Sequence, residues 1–141
     1  MTKVDFYFNV TDKLAKSVEL CERAIIKGRQ LTIFTQDAAM SDLLQQQLWQ
    51  QSPSSFLTNA HSHALEGSFS AIVLDSTGEH LLQDDVLINL QAQHPPFFSR
   101  FRHLIEIVSM DEADKVAARV RFKFYKDRGY AIKTTDVAVS L

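Results

Sequence analysis

The stretch Ala24-Ile25-Ile26-Lys27-Gly28-Arg29-Gln30-Leu31-Thr32-Ile33-Phe34-Thr35 holds a helix end, a stop and a buried strand in twelve residues. Leu14, Val18, Cys21 and Ile25 recur at helical spacing, so a helix runs into this stretch from its N-terminal side. Gly28 is the residue type that ends a helix in the left-handed region. Leu31 to Thr35 is a short apolar run with no alternation, as in a strand covered on both faces. Upstream, Val4-Asp5-Phe6-Tyr7-Phe8-Asn9-Val10 reads as a strand, with Thr11 as the expected N-cap of the helix.

Downstream the alternation continues. Gln36-Asp37 opens a second helix that runs to about Gln50, with Pro53 beyond it. Phe56-Leu57, Ala71 to Leu74, Val86 to Leu90, Leu104 to Val108 and Tyr130 to Thr134 are strand candidates, and Phe97 to Arg102 a short helical turn. Asn59 to Ser70 gives no clear signal. Ser109 and Glu112 form an expected capping box for a last helix that Gly129 stops. The pattern predicts one α/β domain over residues 1–141: a three-layer sandwich with a largely parallel or mixed central sheet, Rossmann-like but without a phosphate-binding loop.

Composition narrows the function. A net charge of −2 on 141 residues is not that of a duplex-DNA binder, so contact with DNA is expected to be indirect or confined to a patch. Nothing in the chain has the apolar length of a membrane span, the N-terminus lacks the core of a signal peptide, and Cys21 has no partner for a disulfide; a cytoplasmic protein is the expectation. The four glycines are scattered, and the first strand-to-helix turn reads Asn9-Val10-Thr11-Asp12, so no cradle for a nucleotide cofactor is expected. His61-Ser62-His63 is the one tight histidine pair, without a cysteine or helical motif to complete a metal site. Cys21 lies on the apolar stripe of its helix, and the pairs Asp84-Asp85 and Asp111-Glu112 fit a turn and a helix start, so no catalytic residue is assigned.

The last helix carries the strongest signal. From Lys115 to Arg128 there are six basic residues and one acid, Asp127. Ala113, Val116, Ala117, Val120 and Phe124 lie at helical spacing as one apolar face. Lys115, Arg119, Lys123 and Lys126 cluster on another side, with Phe122 beside them and almost opposite the apolar face. One reading is a solvated charged face. The other is an acceptor for an acidic peptide, whose carboxylates meet the cations while an apolar residue anchors at their edge.

Several segments together resemble the chi subunit of bacterial DNA polymerase III. These are the opening Val4 to Phe8, the stretch Ala24 to Leu31, Leu48-Trp49 with Pro53 and Ser55-Phe56-Leu57, Val86 to Leu90, and Arg121 through Tyr130. The resemblance covers most of the chain apart from about Thr58 to His80. It implies a non-catalytic accessory subunit that pairs with psi, and through psi with the clamp loader. It also implies binding of the acidic C-terminal tail of single-stranded DNA-binding protein, which ends in Pro-Phe. Carried over by position, the tail-binding residues are Val108, Lys115, Arg119, Phe122 and Lys123. Trp49 and Phe56 are candidates for the psi-facing surface, with core packing as the alternative. The family often has Tyr at Phe122 and Pro-His at Thr58-Asn59. Two other classes stay open: a module that binds single-stranded nucleic acid directly with Phe122 stacking on a base, and a small α/β enzyme with a polar pocket at the carboxyl ends of its strands.

Overall fold

Side chains on the strands divide the core into two layers. On β2 (Leu31–Phe34), Ile33 packs into one apolar cluster and Phe34 into the other. On β5 (Val86–Asn89), Val86 and Ile88 oppose Leu87, and on β6 (His103–Ser109), Ile105 and Ile107 oppose Leu104 and Val108. This is the two-residue period of a sheet covered on both faces. The first cluster takes Val18, Cys21 and Ala24 from α1 (Lys13–Ile26) and Leu44 and Leu48 from α2 (Ala38–Gln51). The second takes Ala118 and Tyr125 from α3 (Glu112–Asp127), with Phe98 and Phe101 from the 3-10 turn Phe98–Arg100 and its end.

The computed structural model describes residues 1–51, 59–61, 72–78 and 83–138. With β1 (Lys3–Val10), β3 (Asn59–His61), β4 (Ile72–Asp75) and β7 (Ile132–Asp136), the strands form one seven-stranded sheet in the order β3-β4-β2-β5-β6-β1-β7. All its ladders are parallel, so of the two sheet types expected the parallel one is found. Helices on both faces make three layers, the Rossmann-like arrangement. β3 escaped the sequence because three residues are too few to show a period. Phe56-Leu57 lies outside the described residues. The final strand begins two residues later than expected, because Tyr130 closes α3, its N–H donating to Tyr125 O at 3.2 Å.

Two expected caps are corrected. Asp12, not Thr11, caps α1: its Oδ1 accepts the Leu14 and Ala15 N–H groups at 3.0 and 3.1 Å. The Ser109–Glu112 box does not form, because α3 starts at Glu112 itself. Asp114, one turn in, reaches back to accept the Ser109 N–H at 2.7 Å while pairing with Lys13 at 3.3 Å. Gly28 does end α1, at a φ of 69°.

Beyond that stop, Arg29 clips β2 to the start of β5. Its Nε donates to both oxygens of Asp85 at 2.9 Å, and Asp85 also accepts the Gln30 N–H at 3.1 Å. The Arg29 hydrogen bonds hold the Asp85 carboxyl below its ordinary value of 3.8. A carboxylate lowered in the folded state contributes stability above that value and loses it as the pH falls through the folded pKa. Asp85→Asn is therefore expected to flatten the decline of urea midpoints below about pH 4, relative to the parent chain. Parallel declines in both proteins would show that the clip carries none of the acid sensitivity.

Candidate functional site

The orientation of α3 is set by a buried charge. Glu106 lies on β6, fully buried on the α3 face of the sheet. Arg121 donates from Nε to Glu106 Oε1 at 3.0 Å, the Tyr125 hydroxyl to Oε2 at 2.6 Å, and Asn89 Nδ2 to Oε2 at 3.1 Å. Arg121 also reaches Ala92 O through Nη1 at 2.7 Å. Burial pushes the Glu106 carboxyl above its ordinary value, while the Arg121 guanidinium and the hydrogen bonds act in the opposite direction.

This network corrects the expected apolar face. Val116 and Val120 are 51% and 68% exposed, and the side of α3 against the sheet is Ala118, Arg121 and Tyr125. A stripe of small apolar residues lost to an arginine because the sheet offers that arginine a buried carboxylate. The turn of the helix also brings Phe122 inward. Rather than standing opposite the packed face, it is half-buried and meets Phe6 edge-on, with ring centroids 5.4 Å apart.

Beside Phe122 lies a cavity of about 330 Å³ between α3 and the β1–β7 end of the sheet. Phe6, Phe8 and Val108 supply an apolar floor, and Ala118 and Phe122 one wall. Lys115 and Arg119 stand at the rim, and Asn9 and Thr134 at the sheet edge. Asn9 holds a positive φ of 61°, a conformation asparagine tolerates, and donates from Nδ2 to Asp136 Oδ1 at 3.0 Å. Arg119 is 69% exposed along its side chain and has only a loose partner, Glu112 Oε1 at 3.8 Å. Among the described residues, neither Lys115 nor Lys123 has a carboxylate at ion-pair distance.

Four of the five residues carried over by position, Val108, Lys115, Arg119 and Phe122, thus surround one cavity. Lys123 does not line it but stands exposed one turn beyond Arg119. Sequence reasoning missed Phe6, Phe8, Asn9, Ala118 and Thr134. The alternation of Val4, Phe6 and Phe8 marks one face of β1, but only the sheet order brings that face under α3. Trp49 lies on α2, where its backbone alone is described, and Phe56 is outside the described residues. So are Ser62 and His63; of His61 only the backbone, in β3, is described.

A second recess, of about 350 Å³, lies at the carboxyl ends of the strands, between Gln36, Gln91, Ser109 and the start of α3. Two of its three ionisable groups, Lys13 and Asp114, are engaged with each other, and the third, Asp111, is an exposed carboxylate. Asp111 and Asp114 occupy the helix start that a phosphate would need. Cys21 is fully buried on the far face, where burial drives its thiol far above the ordinary value and keeps it protonated.

Fold and site define a parallel three-layer α/β protein with an apolar, cation-rimmed cleft on a helix flank and a strand-to-helix turn that carries no glycine cradle. The family model of the DNA polymerase III chi subunit, HolC, matches residues 1–133, and the chain belongs to that family. It is 31% identical to DNA polymerase III subunit chi of Pseudomonas aeruginosa over 140 residues, covering 94% of this chain and 95% of that protein. With subunit chi of Haemophilus influenzae it shares 29% over 143 residues, covering 97% and 99%. The chain is therefore a subunit of the replicative polymerase III assembly. In architecture it is also similar to the C-terminal domain of the DEAD-box protein Dbp5, with a TM-score of 0.65 at 12% identity over 97% of this chain and 92% of that one. That likeness concerns the fold alone. No described helix is long and apolar enough to cross a membrane.

Proposed function

We propose that the chain is a non-catalytic, single-domain cytoplasmic subunit that links the clamp loader, through psi, to the acidic C-terminal tail of single-stranded DNA-binding protein. It meets DNA only indirectly in this role and needs no cofactor. The observation that carries the reading is the cleft itself: an apolar floor beneath two rim cations, of which Arg119 has only the loose partner Glu112. In this reading a terminal phenylalanine sits between Val108 and Phe122, and its carboxylate pairs with Arg119; all three residues line the cleft. Lys115 and Lys123 flank that position and draw in the acidic residues that precede it. Trp49 and Phe56 remain the residues proposed to face psi.

Because Arg119 is exposed, the attraction is screened and the affinity is modest, weakening as salt is raised. Arg119→Ala is expected to weaken binding of a labelled tail peptide by about 1–3 kcal/mol in fluorescence polarisation. Unchanged affinity in this variant and in Lys115→Glu would remove the site.

A further inference from the structure

The sheet ends at β7, and the cleft opens on that end. β7 pairs with β1 on one side, and among the described residues no strand lies on its other side. Val4 N–H donates to Ala131 O at 3.4 Å and Val137 N–H to Phe8 O at 3.0 Å. In a parallel ladder, alternate residues of a strand turn their backbone groups to the same neighbour. Lys133 and Thr135 therefore serve β1, while Ile132, Thr134 and Asp136 present N–H and C=O groups outward. Thr134 is exposed, pairs in register with Phe6 and lines the cleft. The apolar anchor site and the open backbone edge are thus continuous.

We propose that the acidic peptide whose last residue occupies the cleft continues along β7 as an added strand of the sheet. This rests on the reading of the cleft given above. Side chains of an added strand alternate between the two faces of the sheet. On the α3 face they meet the row of Arg119 and, one turn beyond Phe122, Lys126; on the opposite face they meet Lys133, which is exposed. Asp136 is the one carboxylate on β7, and Asn9 already engages it. Acidic residues at successive positions are therefore matched on both faces. A second copy of the chain, pairing edge to edge, would set cation against cation, which is how a lysine keeps an edge from self-association.

The test uses the full chain and synthetic acidic peptides ending in a phenylalanine with a free carboxylate. One peptide has about four residues and fills the cleft only; another has about ten and is long enough to run along β7. The longer peptide is expected to bind roughly tenfold tighter. Single N-methylation upstream of the anchor is expected to abolish that gain at every second position and spare the positions between. This two-residue pattern separates backbone pairing from added charge, because N-methylation leaves every carboxylate in place. Equal affinity of the two peptides, or N-methyl effects without alternation, overturns strand addition while leaving the cleft assignment intact. A short peptide whose binding is absent or indifferent to Arg119→Ala overturns the cleft assignment, and strand addition with it.

Discussion

Arg121→Met is expected to cost about 3–5 kcal/mol of folding stability, the range for breaking a buried ion pair from one side. Arg121 is 2% exposed and Glu106 fully buried, so water cannot replace the missing guanidinium. Methionine fills much of the arginine stem's volume, so the loss reads electrostatics more than a cavity. Left with Tyr125 and Asn89 alone, Glu106 is stable in the core chiefly as the neutral acid. Its pKa in the folded variant then lies well above its ordinary value of 4.5. A raised folded pKa contributes stability that is full below the unfolded value and lost as pH rises through the folded one. The deficit relative to the parent should therefore be smallest in mild acid and grow toward neutral pH. Urea denaturation at a series of pH values measures both effects. The double variant Arg121→Met/Glu106→Leu should recover a large part of the loss, since apolar replacement of a buried pair is often tolerated. A deficit below about 1 kcal/mol that does not vary with pH would mean that the pair does not hold α3 in place.

Arg119→Glu should produce the largest change in recognition. It places a carboxylate at the rim where the proposed ligand brings its own, and like charges face to face cost several kcal/mol, so tail affinity should fall by about a hundredfold or more. Folding should be nearly untouched, within about 0.5 kcal/mol, because the side chain is 69% exposed and its sole described partner is distant. Fluorescence polarisation and urea denaturation on the same sample separate the two readouts. Equal loss of stability and binding would make Arg119 a structural residue, and undiminished binding would move the tail elsewhere.

The element order was readable because strands such as Leu31 to Phe34 and helices such as α1 carry unmistakable periods and stops. The rim was readable because Lys115 and Arg119, with Lys123 a turn beyond them, repeat along one side of a helix. The rotation of α3 was not. Ala113, Val116 and Val120 form the more apolar stripe, and only the placement of Glu106 beneath Arg121 and Tyr125 decides against it. A glutamate inside the apolar run Leu104 to Val108, with Arg121 and Tyr125 one helical turn apart, was the available clue. The floor of the cleft depends on β1 lying between β6 and β7, which is a property of topology.

That topology has a consequence for biogenesis. β1 finds its sheet neighbours 100 and 128 residues further along the chain, Lys3 beside His103 and Val4 beside Ile132. Until β6, α3 and β7 have been synthesised, Phe6 and Phe8 of the nascent chain lack the partners they pack beside, and contacts between such distant parts form slowly. The aromatic-floored cleft is therefore among the last features to mature, and a polypeptide stalled before β6 would display Phe6 and Phe8 as sticky, uncovered side chains.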